Sequence, residues 1–461
     1  MVLIFVLFPA LLSALLLVHS LPNLKIYLFM DKKVDNALSR SVVFSDKNAF
    51  LRSLFTKNSH FYEKMHKNCK KCRNFFAEQD FFCTFAPEIQ KHTIMLKKFA
   101  VTNFRGFANR IEWDLSNPSN YEFSQYAIKN GIIKNAIIYG PNGSGKSNFS
   151  FAMFDIVNHL TQKHKEPDFY VNFPYASQLD MPVKFEYTFQ FEEDLLEYVY
   201  TKDRSGNLLT EDVDVNGVNM IHRQEKKIMC DPSLMINKNA IEALLKENDN
   251  KVSVISFLLA SIPLSSTHYL IKLRDFVNSM LWFRNLDERG FIGLQTSATI
   301  LEEYIIKNGY VEEFAKFLKD ISGQQFDFSL TKADDKYISC KIDNISIPFN
   351  LLESTGTRSL KLLFYWITNL KDASLVFIDE FDAFYHFKLA FAVCKQLFSL
   401  NNCQVFMTSH NTYLMTNDLL RPDCNFILDN NKIKPLNQCT DKELRFGHNM
   451  EKLFRGNTFK V

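Results

Sequence analysis

The segment GPNGSGKS at residues 140–147 leaves its chain little freedom in how to fold. Gly140, Pro141, Asn142, Gly143, Ser144, Gly145, Lys146 and Ser147 match G-x-x-x-x-G-K-[ST] throughout. In such a loop successive backbone N–H groups converge on phosphate oxygens, a geometry that side chains at the glycines would block. The loop needs a buried strand before it and a helix after it. Both flanks fit: residues 135–139 (NAIIY) are a short apolar run suited to a central parallel strand, and residues 148–162 continue with helical spacing. Lys146 would neutralise the β- and γ-phosphates of a nucleoside triphosphate, and the Ser147 hydroxyl would take one Mg2+ position.

A second motif completes the chemistry. Residues 375–378 (LVFI) read as a buried strand, and Asp379 and Glu380 follow at its carboxyl end. Asp379 would hold Mg2+ with Ser147, while Glu380 would polarise the attacking water. Another short apolar run, residues 404–407 (QVFM), leads into Thr408, Ser409 and His410. A histidine just past that strand end can hydrogen-bond the γ-phosphate and report its presence. Glu353, Ser354, Thr355, Gly356, Thr357 and Arg358 open an expected helix over 358–370. Ser354 reads as an N-cap, and Ser354 with Gly356 at a helix N-terminus is also an anion site. The anion there would be the γ-phosphate of an ATP molecule held by a second subunit.

Around these motifs the chain alternates strand and helix. Residues 96–107 alternate in the manner of a strand ending in NFRGF, with a hairpin partner at 111–115. Residues 183–190, 197–201 and 208–218 alternate again, the last around an Asn216-Gly217 turn. Helical spacing follows at 239–247, 252–260, 269–283 and 301–320, then strands at 326–330 and 337–349. The remainder alternates helix and strand, which predicts an α/β core with a mostly parallel sheet. The expected organisation is an extension at 1–94, a first core half at 95–230 carrying the phosphate loop, a helical arm at 231–325 and a second core half at 326–461.

Composition adds bounds. Across 461 residues, 46% are hydrophobic and 23% charged, ordinary values for a globular protein. A net charge of +3 does not by itself indicate a nucleic-acid partner, so any basic footprint must be local. Lys97, Lys98, Arg105 and Arg110 could supply one strip, and Arg284 with Arg289 another. Nine scattered cysteines suit reduced thiols in a cytoplasm. The cluster of His66, Cys69 and Cys72, with Cys83 beyond, does not match a familiar zinc finger. The first 24 residues hold no acidic residue, lysine or arginine. They lack the charged start and cleavage site of a signal peptide. They read either as part of a dispensable extension on a cytoplasmic protein or as an inner-membrane anchor through residues 2–22.

From Met95 onward the set NFRGF, GPNGSGKS, ESTGTR, IDEFD and TSH resembles ABC-class ATPases of the SMC, RecF and OLD kind, which are AAA-type ATP-binding proteins. The resemblance implies a P-loop NTPase fold of ABC-ATPase type, with a split sheet, a β-hairpin subdomain and an inserted helical arm. It implies ATP and Mg2+ as ligands and a head-to-tail homodimer, in which Ser354 and Gly356 of one chain complete the site built on Lys146 of the other. Glu380 would be the general base, His410 the γ-phosphate switch, and Asp382 part of the loop communicating across the dimer. The signature reads S-T-G-T rather than S-G-G-Q, and the glutamine loop is not placed, Gln178 and Gln190 being candidates. The tail at 443–459 resembles RloA- and AbiL-type ATPases, which implies an ATP-driven switch in phage defence with a separate RloB-like or Toprim-type nuclease effector. A RecF-like ATP-dependent DNA-binding and repair role is the alternative.

Overall fold

A computed structural model describes residues 94–161, 163, 173–234, 252–284, 291–293, 300–329, 336–343, 345–401 and 403–461, with three short strands near the N-terminus. The chain divides into two units, Met1–Lys91 and His92–Val461. In the first unit Val2–Val6 pairs in parallel with Lys25–Phe29, whose other edge meets Val43–Phe44. Residues 7–22 of the candidate anchor lie outside the described residues. So do His66, Cys69, Cys72 and Cys83, Arg289, and the helix expected at 239–247. Among the described residues no helix is long and apolar enough to cross a membrane.

The second unit begins with β1 (Ile94–Thr102) and its partner β2 (Ile111–Asp114), followed by β3 (Asn135–Tyr139). Two short helices, α1 (Lys146–Met153) and α2 (Asp155–Thr161), then lead to five antiparallel strands. These are β4 (Val183–Phe191), β5 (Asp194–Lys202), β6 (Leu208–Val215), β7 (Val218–Gln224) and β8 (Lys227–Cys230). In β4 every second residue from Val183 to Phe191 is buried, the period that a sheet with one covered face requires. Asn216 and Gly217, both at positive φ, make the tight β6–β7 turn that the sequence predicts. Together these strands form one antiparallel sheet in the order β8-β7-β6-β5-β4-β1-β2.

The chain continues through α3 (Val254–Ser261), α4 (Tyr269–Asn278), β9 (Met280–Arg284), β10 (Phe291–Gly293), α5 (Leu301–Lys307) and α6 (Val311–Ser322). A small sheet of β11 (Phe328–Ser329), β12 (Ser339–Ile342) and β13 (Ile345–Pro348) comes next. The last stretch holds α7 (Thr355–Asn369), β14 (Leu375–Asp379), α8 (Phe387–Phe398), β15 (Gln404–Thr408), β16 (Asn425–Asp429), β17 (Lys432–Pro435) and α9 (Met450–Arg455). A second sheet runs β10-β9-β14-β15-β3-β16-β17. Its five inner strands are parallel, and only the two edge strands run the other way. This is the α/β P-loop NTPase fold, its central sheet assembled from distant parts of the chain.

Two local expectations are corrected. The pattern over 269–283 predicts one helix, but the helix ends at Asn278 and Met280–Arg284 is a strand. Met280, Leu281, Trp282 and Phe283 are buried in succession, which suits a parallel strand covered on both faces. A short apolar run is equally compatible with either element, so periodicity misses the change. Two strands of the central sheet, β9 and β10, therefore come from the stretch expected to form a helical arm. The helix expected over 301–320 is broken in two around Gly309, whose φ is +70°.

The two sheets are locked through β1, β2 and α1. Trp113 of β2 sits edge-on to Phe406 and Phe426 of the parallel sheet at 4.7 and 5.2 Å and to Phe149 of α1 at 5.9 Å. The Gln404 side chain mimics a strand partner: its oxygen accepts from the Leu96 N–H at 2.7 Å, and its nitrogen donates to the Leu96 carbonyl at 3.0 Å. A buried amide satisfied on both ends fixes β15 against β1 without leaving an orphaned polar group.

Candidate functional site

The carboxyl ends of β3, β14, β15 and β9 meet along one edge of the parallel sheet, where open α/β sheets bind ligands. From β3 the chain turns through residues 140–145 into α1. Gly145 stands at φ +99°, and a Cβ there would lie 2.7 Å from Cζ of Phe107. At Gly140 a Cβ would fall 2.3 Å from the Leu428 carbonyl oxygen. Both glycines are thus required by close approach, one to the NFRGF segment and one to the end of β16. Lys146 folds back over its own loop, its Nζ donating to the Gly140 carbonyl at 2.9 Å and the Pro141 carbonyl at 3.0 Å. Burial pushes its pKa down, with Asp379 and Glu380 opposing that shift.

Asp379 ends β14 fully buried. Its Oδ1 accepts from the Thr408 hydroxyl at 2.7 Å, and the same hydroxyl accepts from the Glu380 N–H at 2.8 Å. Glu380 has φ +52°, an uncommon conformation for a residue with a Cβ. The left-handed bend turns its carboxylate out of the strand to a half-exposed position. Ser409 donates to Asp382 at 2.8 Å, and the Ser409 N–H reaches the Ile138 carbonyl at 3.1 Å. Burial raises the Asp382 pKa, while the hydrogen bond from Ser409 opposes it. Thr408 and Ser409 together tie both acidic positions to the strand that feeds the phosphate loop. His410 is exposed just beyond. Partial burial and the charge of Lys146 lower its pKa, with Glu380 and Asp379 pulling the other way, so the imidazole is neutral near pH 7.

Arg284 was not assigned to this site by sequence. It is paired in register with Asp379 at the ends of adjacent parallel strands. Its Nη2 lies 2.9 Å from Asp379 Oδ2 and 3.5 Å from the Ser147 hydroxyl, and its Nε lies 4.0 Å from Glu380. The signal is hidden because MLWF continues the helical spacing of residues 269–283. The glutamine candidates form their hydrogen bonds outside residues 140–147. The Gln178 carbonyl accepts from Asn103, and Gln190 bonds the carbonyls of Glu192 and Asp194.

Ser354 caps α7, its hydroxyl accepting from the Thr357 N–H at 3.1 Å, as an N-cap should. At Gly356 a Cβ would sit 3.2 Å from the Phe384 carbonyl, so the helix start lies against the turn that follows Asp382. Among the described residues no hydrogen bond joins Ser354 or Gly356 to residues 140–147. Lys361 anchors the start of the helix, bridging Glu353 and Glu302 at 2.8 Å each, with all three side chains buried.

Residues 136–416 match a family whose description reads "AAA domain, putative AbiEii toxin, Type IV TA system". The chain belongs to this AAA_21 family. It is an AAA-class P-loop protein. No curated protein matches the sequence. Solved structures similar to this AAA_21 chain include an SMC head bound to the C-winged helix domain of ScpA, at 15% identity and a TM-score of 0.39, covering 74% of this chain and 98% of that one. The SMC head domain from Thermotoga maritima is 17% identical with a TM-score of 0.35, covering 74% and 99%. The recombination mediator protein RecF–ATPrS of the RecFOR pathway is 15% identical with a TM-score of 0.34, covering 75% and 98%.

Proposed function

We propose that this AAA_21 chain binds ATP on residues 140–147 and hydrolyses it, using the ATP-bound state as a switch. The observation that carries the reading is the Thr408 hydroxyl bridging Asp379 and the Glu380 backbone beside Lys146. It holds one carboxylate inside and turns the next one out, the division needed between binding a cation and activating water. Lys146 would exchange its two loop carbonyls for phosphate oxygens. Glu380 would accept a proton from the attacking water, and neutral His410 would donate to the γ-phosphate.

Mg2+ fits the oxygen donors of Ser147 and Asp379, since a cationic guanidinium already bridges the two. When bound, the ion would neutralise charge on the β- and γ-phosphates. Ser354 and Gly356 would serve the phosphates of a second copy in a head-to-tail homodimer. The defence role, with a separate RloB-like or Toprim-type effector, draws support from the family's description as a toxin of a type IV TA system and from the tail at 443–459. A cytoplasmic setting goes with it.

The RecF-like alternative needs a basic strip. Lys98 is paired with Asp114 at 2.8 Å and Arg110 with Glu186 at 2.9 Å, while Arg105 lies over the Phe104 and Phe151 rings. These pairings disfavour a phosphate-binding surface there. Glu380→Gln tests the leading reading: it should abolish ATP turnover while retaining ATP binding. Turnover at the wild-type rate would remove Glu380 as the base.

A further inference from the structure

We propose that Arg284 is a built-in counter-cation that holds the Mg2+ position until nucleotide and metal arrive together. The inference deepens, and rests on, the ATP-site reading above. Parallel pairing sets Arg284 opposite Asp379, so the contact follows from strand register as well as from a side-chain rotamer. Two residues earlier on β9, Trp282 faces the same side. Its indole N–H donates to the Ser150 hydroxyl of α1 at 3.0 Å, and its ring lies 4.6 Å from that of Phe151. This fixes β9 against the helix that carries the phosphate loop. The Arg284 guanidinium lies 6.0 Å from the Trp282 ring centroid, with its fork aimed at Asp379 and Ser147.

Charge explains what the contact does. Asp379 is fully buried, and a buried carboxylate without a partner costs several kcal/mol. Arg284 supplies that partner, and with Lys146 it balances the pair Asp379 and Glu380. Mg2+ entering alone would meet a neutral cluster whose two donor oxygens are already engaged. A triphosphate brings negative charge of its own, so metal and nucleotide together can displace the guanidinium. Arg284 thereby makes occupation of the site conditional on both.

The experiment titrates Mg2+ against binding of a fluorescent ATP analogue, and separately measures thermal unfolding with Mg2+ alone. Wild type should bind the analogue with a defined Mg2+ midpoint and gain no thermal stability from Mg2+ without nucleotide. Arg284→Gln should lower the midpoint about tenfold, equivalent to about 1.4 kcal/mol of relieved competition, and should be stabilised by Mg2+ alone. Arg284→Lys, which keeps the charge but not the guanidinium geometry, should fall between wild type and Arg284→Gln. Arg284→Met retains the stem over Trp282 and replaces the Gln variant if that one fails to fold. A charge-free variant whose Mg2+ curve superimposes on wild type overturns the inference, as does a Lys variant that shifts equally far. If wild type binds no analogue at any Mg2+ concentration, the ATP-site reading itself falls.

Discussion

Thr408 carries a disproportionate share of the site's geometry, because one hydroxyl both donates to Asp379 and accepts from the Glu380 backbone. Neither bond is visible in a motif, since TSH draws notice only for its histidine. Lys146, Ser147 and Asp379 were legible because phosphate and metal chemistry dictates residue type at fixed spacing. Arg284 was not, since its place depends on strand pairing between residues far apart in sequence. Another silent residue is His159 on α2, fully buried with its Nε2 2.5 Å from the Tyr198 hydroxyl. Glu211 lies 3.9 Å away, which would suit a charged imidazole. Complete burial and the nearby Lys202 and Arg223 outweigh it and push the His159 pKa well below 6.5. Unfolding exposes an ordinary histidine, so the unfolded chain takes up a proton as pH falls through about 6.5. Stability from this residue is therefore present above that pH and lost below it, by up to about 1.4 kcal/mol per pH unit. Unfolding midpoints between pH 7.5 and 5 should fall less steeply for His159→Gln than for wild type.

Among the elements, α7 shows how the candidate signature is held. Its N-cap was readable from Ser354, but the clamp beneath it was not. Lys361 lies two turns into the helix and bridges Glu353 to Glu302 of α5. Glu302 in turn accepts from the Ile338 N–H at 2.8 Å, joining the small β11–β13 sheet to the same cluster. Removing the cation leaves two buried carboxylates offset by the more exposed Arg358, 3.5 Å from Glu353. Lys361→Met should cost about 3–5 kcal/mol, measurable as a lowered denaturant midpoint. A change below about 1 kcal/mol would mean the cluster is more hydrated than its burial indicates. The strand β9 teaches the opposite lesson. Four successive apolar residues fit either a helix or a buried strand, and only pairing with β14 decides between them.

For the whole molecule, the split sheet explains why distant motifs converge: β3, β14 and β15 enter it from residues 135–139, 375–379 and 404–408 and end on one edge. Alternation of strands and helices predicted that class of fold, whereas the assembly of the dimer must be tested in solution. Ser354 and Gly356 lie beside the turn after Asp382, and in the proposed dimer they would complete the site of a second chain. The most direct test mixes two inactive variants, Lys146→Ala and Ser354→Arg. A mixed dimer pairs the intact loop of the Ser354→Arg chain with the intact signature of the Lys146→Ala chain. ATP hydrolysis in an equimolar mixture should recover to roughly a quarter of the wild-type rate by random pairing. A mixture of folded chains as inactive as either variant alone would contradict a site shared between subunits.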